Sequence, residues 1–170
     1  MDITQLILDD HAEQRRLFAI IEQIDPTDLR NLAAVWKRLS TFLEVHAETE
    51  EKLFYPALLT VGRREGETET VEHETKHAIK DHNKIRDAVS AVTRETVGSE
   101  EWFAAVAKAN LENGDHMAEE EREGLTSFRR FAPVELRHKL GVEFIAFEAN
   151  HVTGVVARDK DPAEYVEQNG

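Results

Sequence analysis

The 170-residue chain fits one domain, and its 41% apolar content is enough to build a hydrophobic core. No apolar run is long enough to cross a membrane, and a formal net charge of −13 argues against the basic surface that nucleic acid or an anionic membrane would need. Cysteine is absent, so disulfides and thiolate metal ligands are excluded, and without a signal-peptide pattern after Met1 the expected location is the cytoplasm.

Taken in chain order, almost every segment carries helical period. Ile3, Ile7, His11, Gln14, Phe18 and Ile21 define one face of a first helix. Asp25-Pro26-Thr27-Asp28 ends it and supplies the next start, with Asp or Thr as cap. Leu32, Val35, Leu39, Phe42 and His46 face inward on a second helix that runs to about Pro56, and Gly62 to Gly66 reads as a polar turn. A third helix starts near Glu69 and turns Ile79, His82, Ile85, Val89 and Val92 inward. Gly98-Ser99 breaks it, and Ser99 ahead of Glu100-Glu101 reads as a capped start. The fourth helix carries Trp102, Val106, Ala109, His116 and Glu120 and reaches Phe128 and Phe131. Pro133 opens a shorter fifth helix through about Ala149. Residues 151–170, with Gly154 and Pro162, read as a loosely held tail after a domain of residues 1–150. No segment alternates as a strand would, so the fold class is all-α.

One pattern occurs twice. Asp10-His11-x-x-x-Arg15 is followed by His46-x-x-x-Glu50-Glu51, and Asp81-His82-x-x-x-Arg86 by His116-x-x-x-Glu120-Glu121. Residues four apart share a helix face, so each HxxxE pair presents an imidazole and a carboxylate to one point. Two such pairs and two lone histidines on four helices would surround a two-metal site in a bundle core. A single buried histidine is more often structural. Here all four fall on apolar faces, and burying Glu50 and Glu120 calls for a nearby cation. This N/O donor set suits iron, zinc or manganese. Glu51 and Glu121, about 100° further round, should point away from the site as supporting or solvated residues. Asp10 and Asp81 read as surface acids, as partners of Arg15 and Arg86, or as supports for metal-bound histidines.

On the third helix His73-x-x-x-His77 also has metal spacing, but it lies off the apolar face that contains His82, and both are expected to be exposed. Pro56 should kink or end the second helix. A kink or π-bulge there could turn the Tyr55 hydroxyl toward the metals; otherwise Tyr55 is a core aromatic with a satisfied hydroxyl.

The order H, HxxxE, H, HxxxE, with Asp before each lone histidine and Tyr55-Pro56 after the second motif, resembles the hemerythrin family. More narrowly it resembles the bacterial hemerythrin-like proteins with an HHE cation-binding domain. The likeness runs over about residues 3–150. It implies an up-down-up-down four-helix bundle, with an additional short C-terminal helix and tail, around two non-haem iron ions joined by an oxo bridge. His11, His46, Glu50, His82, His116 and Glu120 would be ligands, with the glutamates bridging. Oxygen carriers of the family add an HxxxH pair on the third helix. This chain is instead similar to mycobacterial-type members that place a tyrosine where a histidine is missing, and Tyr55 matches that position. The resemblance therefore implies reaction with peroxide or nitric oxide in stress defence, as a peroxidase, a catalase-like enzyme or a nitric oxide peroxidase. The alternative is non-enzymatic binding or sensing of dioxygen or nitric oxide, or iron storage.

Overall fold

The computed structural model describes residues 1–170 and is all-helical. The helices are α1 (Ile3–Gln23), α2 (Leu29–Thr49), α3 (Tyr55–Glu65), α4 (Thr68–Arg94), α5 (Glu100–Arg122), α6 (Gly124–Phe131), α7 (Val134–Asn150) and α8 (Pro162–Asn169). A single π-helical turn, Glu50–Phe54, joins α2 to α3. No helix is long and apolar enough to cross a membrane.

Local chemistry sets the helix ends. Asp2, Asp28, Ser99 and Asp161 each accept a backbone N–H of the first turn, and each such cap stabilises a helix by about 1 kcal/mol. Gly66 closes α3 in the left-handed conformation, at φ 82°, which glycine adopts without a Cβ clash. The fourth helix does not run unbroken to Phe131. Its backbone is interrupted at Glu123, and α6 starts anew at Gly124.

Two apolar clusters form the interior. One joins the start of α1 to α3, α6 and α7 through Ile3, Ile7, Leu58, Phe128 and Phe144. Here Phe54 and Phe128 meet edge-on at 5.3 Å. The other joins the end of α1 to α2, α4 and α5, with Trp36 and Trp102 edge-on at 6.3 Å. Such aromatic pairs add about 0.5–1.5 kcal/mol beyond the area they bury. The buried histidines and acids lie along the chain between the residues of the two clusters, on α1, α2, the π turn, α4 and α5.

The segment after Asn150 is not loosely held. It crosses the bundle and ends in α8, whose Tyr165 and Val166 are buried in the first cluster. Asp161-Pro162, a cap followed by proline at the first helical position, is the sequence signal for this helix.

Candidate metal centre

Helical register turns six predicted residues inward, and the packing of α1, α2, α4 and α5 brings them together. His11 of α1, His46 of α2, Glu50 of the π turn, His82 of α4, and His116 and Glu120 of α5 are all buried. Glu50 is central. Its Oε1 lies 3.0 Å from His46 Nε2 and 4.0 Å from His11 Nε2, and its Oε2 lies 3.3 Å from His82 Nε2. His82 and His116 bring their Nε2 atoms within 3.0 Å. Two sets of donor atoms result, His11-His46-Glu50 and Glu50-His82-His116, each within a span that one metal ion could occupy. Glu50 belongs to both, one oxygen to each, which is the disposition of a bridging carboxylate. Glu120 directs Oε2 to His11 Nε2 at 3.3 Å.

Both Glu50 oxygens, Glu120 Oε2, His11 Nε2 and His46 Nε2 are buried without an aligned hydrogen-bond partner. Leaving one such group unmade costs roughly 1–3 kcal/mol, so five converging on one place fit a bound cation. The electrostatics agree. Burial lowers the His46 ring, but Glu50 and Asp10 outweigh it and hold its pKa well above an ordinary imidazole. His82 is likewise lowered by burial and raised further by Glu50 and Glu51, to about 9. His116 is driven well below the ordinary range by burial and by the charge on His82. A metal ion can replace the protons these carboxylates attract.

Tyr55 is turned inward by the π turn. Its N–H donates to the Glu50 carbonyl, five residues back, and Pro56 has no N–H to continue the α pattern to Lys52. The widened turn lets both Phe54 and Tyr55 face the interior. The Tyr55 hydroxyl donates to Glu120 Oε1 at 2.6 Å, and burial together with the Glu120 and Glu50 charges pushes its pKa well above that of a free phenol. His73 and His77 are exposed; His77 sits 3.4 Å from Glu119.

The outward nitrogens of three histidines are also held. His46 Nδ1 lies 2.9 Å from Asp10 Oδ2, His11 Nδ1 lies 2.9 Å from Glu121 Oε1, and His82 Nδ1 lies 2.7 Å from Glu51 Oε1. Such carboxylates fix the ring orientation of a metal-bound histidine. The same two glutamate oxygens accept from the arginines: Arg15 reaches Glu121 and Arg86 reaches Glu51, each at 2.7 Å. Of the three readings open for Asp10 and Asp81, pairing with Arg15 and Arg86 is not the one the structure takes, and Asp10 supports His46. Asp81 bonds Lys84 at 2.6 Å instead. Glu51 takes the supporting rather than the solvated of its two readings. Burial raises its carboxyl, but the His82 hydrogen bond and charge, with Arg86 and Lys160, overcome this and hold it at about 2.

Sequence reasoning missed Lys160, Tyr165 and Glu148. Lys160 Nζ donates to Glu51 and the Tyr165 hydroxyl to the Glu51 carbonyl. Glu148 stands by Asp10 and His46, its carboxyl pushed up by burial and by the Asp10 charge. None of the three sits in the repeated motif.

A family model described as the hemerythrin HHE cation binding domain matches residues 2–126. The chain belongs to this hemerythrin family. The match spans α1 to α5 and the start of α6, and so includes every buried histidine and acid of the site. No curated protein and no solved structure matches the chain. Membership in a cation-binding family and the cluster of unpartnered donors agree: this is a metal-binding protein, and its four histidines and two glutamates are suited to iron.

Proposed function

We propose that the protein holds two iron ions and reacts with a small oxidant, peroxide or nitric oxide, in defence against oxidative or nitrosative stress. The observation that carries this reading is the position of Glu50, one oxygen toward each of two histidine pairs, inside a cluster of unpartnered donors. We assign His11, His46, Glu50, His82, His116 and Glu120 as the residues that would hold the ions, Glu50 reaching toward both sets of histidines. We keep Tyr55 in the set because its hydroxyl reaches Glu120 at 2.6 Å. We also infer that the four long helices, two of whose connections are only five residues long, run up-down-up-down.

Two bound irons would supply the electrons exchanged with the oxidant. The chain contributes orientation and enclosure. Asp10, Glu51 and Glu121 hold three imidazoles in place, and the Tyr55 hydroxyl fixes Glu120. Beside Tyr55, His116 and Glu120 is a cavity of about 20 Å³, room for roughly one water-sized molecule. Its size favours a diatomic or peroxide ligand over an organic substrate.

Elemental analysis of untagged protein, with a visible spectrum of the same sample, tests the reading. About two irons per chain and oxo-bridged absorption are expected, followed by turnover of peroxide or nitric oxide. A persistent adduct without turnover would make it a binding or sensing protein; zinc or no metal would overturn it.

A further inference from the structure

The segment that follows the family-matched region reaches back to the metal centre. Lys160 is clasped by Asn83, the residue after His82: its N–H donates to Asn83 Oδ1 at 3.1 Å and its carbonyl accepts from Asn83 Nδ2 at 2.8 Å. From this fixed point Lys160 Nζ donates to Glu48 Oε2 at 2.8 Å and to Glu51 Oε2. The Tyr165 hydroxyl donates to the Glu51 carbonyl at 2.5 Å. Both the backbone and the side chain of Glu51 are thus held from the C-terminal segment. Its other oxygen, Oε1, is the one that faces His82 Nδ1.

The opposite half of the bundle lacks this device. Glu121 makes the same contacts to His11 and Arg15, but its side chain is 29% exposed while that of Glu51 is 0%. Water screens one of these supporting carboxylates; the other depends on Arg86 and Lys160 for its countercharge.

We propose that Lys160 and Tyr165 are positioning residues of the metal centre, acting through Glu51 on the orientation and donor strength of His82. The proposal rests on His82 being a ligand. Lys160 draws the Glu51 charge toward Oε2 and so limits the pull of Oε1 on the His82 ring proton. Without Lys160, Oε1 becomes the stronger acceptor, His82 the stronger donor, and the more oxidised metal is favoured. The lost positive charge acts in the same direction.

The test uses full-length Lys160→Met, Lys160→Arg and Tyr165→Phe beside the parent. In metal-free protein, nitrogen-edited NMR follows the His82 ring N–H; after loading with ferrous iron, a redox titration gives the midpoint potential. Lys160→Met should move the His82 ring N–H resonance downfield, as a stronger hydrogen bond to Oε1 does, and lower the potential. Tyr165→Phe, which frees the Glu51 backbone, should speed exchange of that proton several-fold, and Lys160→Arg should restore the parent resonance and potential. An unchanged His82 proton in Lys160→Met and Tyr165→Phe would overturn the proposal. If the parent takes no iron, the di-iron reading fails, while the NMR comparison still decides whether the segment positions His82. If Lys160→Met does not fold, Tyr165→Phe decides alone.

Discussion

The Tyr55 hydroxyl donates to Glu120 Oε1 across 2.6 Å, tying the π turn after α2 to the second HxxxE motif on α5. Were iron to displace that hydroxyl proton, Tyr55 would become a ligand, and the consequence is spectroscopic. Iron-loaded protein should show a visible tyrosine-to-iron charge-transfer band that Tyr55→Phe removes with iron content unchanged. A band that survives the substitution has another source. Loaded parent without any band would make Tyr55 only the donor that holds Glu120.

Removing a carboxylate proposed as a ligand should uncouple the protein from metal. Glu50→Ala or Glu120→Ala is expected to lower bound iron, because each deletes unpartnered donor atoms of the cluster. A ligand present about 1,000-fold above its Kd contributes about 4 kcal/mol of apparent stability. Added iron should therefore raise the parent's melting temperature by several degrees and leave that of Glu50→Ala nearly unmoved. Equal iron in parent and variant would remove Glu50 from the ligand set.

Glu74, which lines the cavity beside Tyr55, His116 and Glu120 without being one of the assigned ligands, gives a pH dependence of its own. Burial and the charges of Glu123, Glu67 and Glu119 push its carboxyl from 4.5 up to about 7, and only Ser127, at 3.5 Å, offers it a hydrogen bond. A raised carboxyl pKa means that the folded state prefers the proton. Stability is then lost as pH rises from about 4.5 to about 7 and stays reduced above that. Glu74→Gln should stabilise the protein at pH 8 by roughly 1–2 kcal/mol, after discounting for the water that reaches this half-buried group. The gain should vanish near pH 4.5, where the carboxyl is half protonated even in the unfolded chain. Denaturant unfolding at the two pH values measures both.

Gly62 on α3 marks a close approach to α4. A Cβ there would clash with Val71 Cγ1, inside the core. Gly62→Ala should cost about 1–3 kcal/mol by overpacking. Combined with Val71→Ala it should cost clearly less than the two changes summed. Strict additivity in thermal unfolding would contradict the contact.

The parts of the fold that depend on period and capping were legible in the sequence. Ser99 and Asp28 cap as read, and the four histidines lie on the faces that their apolar neighbours marked. What one helix cannot report is the partner across the bundle. Arg15 and Arg86 find glutamates on other helices rather than the aspartates beside their own histidines. Glu51 looks solvated on a regular helix, but it is buried because the turn is π-helical and the C-terminal segment covers it. Lys160 carries no local signal, since its role exists only once α8 has docked.

The grip of each lone histidine and its arginine on a glutamate oxygen runs between the two halves of the motif: His11 and Arg15 hold Glu121, and His82 and Arg86 hold Glu51. Neither half can close this grip by itself. What each offers is the counterpart of what the other lacks, the relation found across the two-fold axis of an isologous dimer. A chain cut near Gly66 would therefore leave two fragments that are each other's missing piece, and the centre would assemble only when both are present.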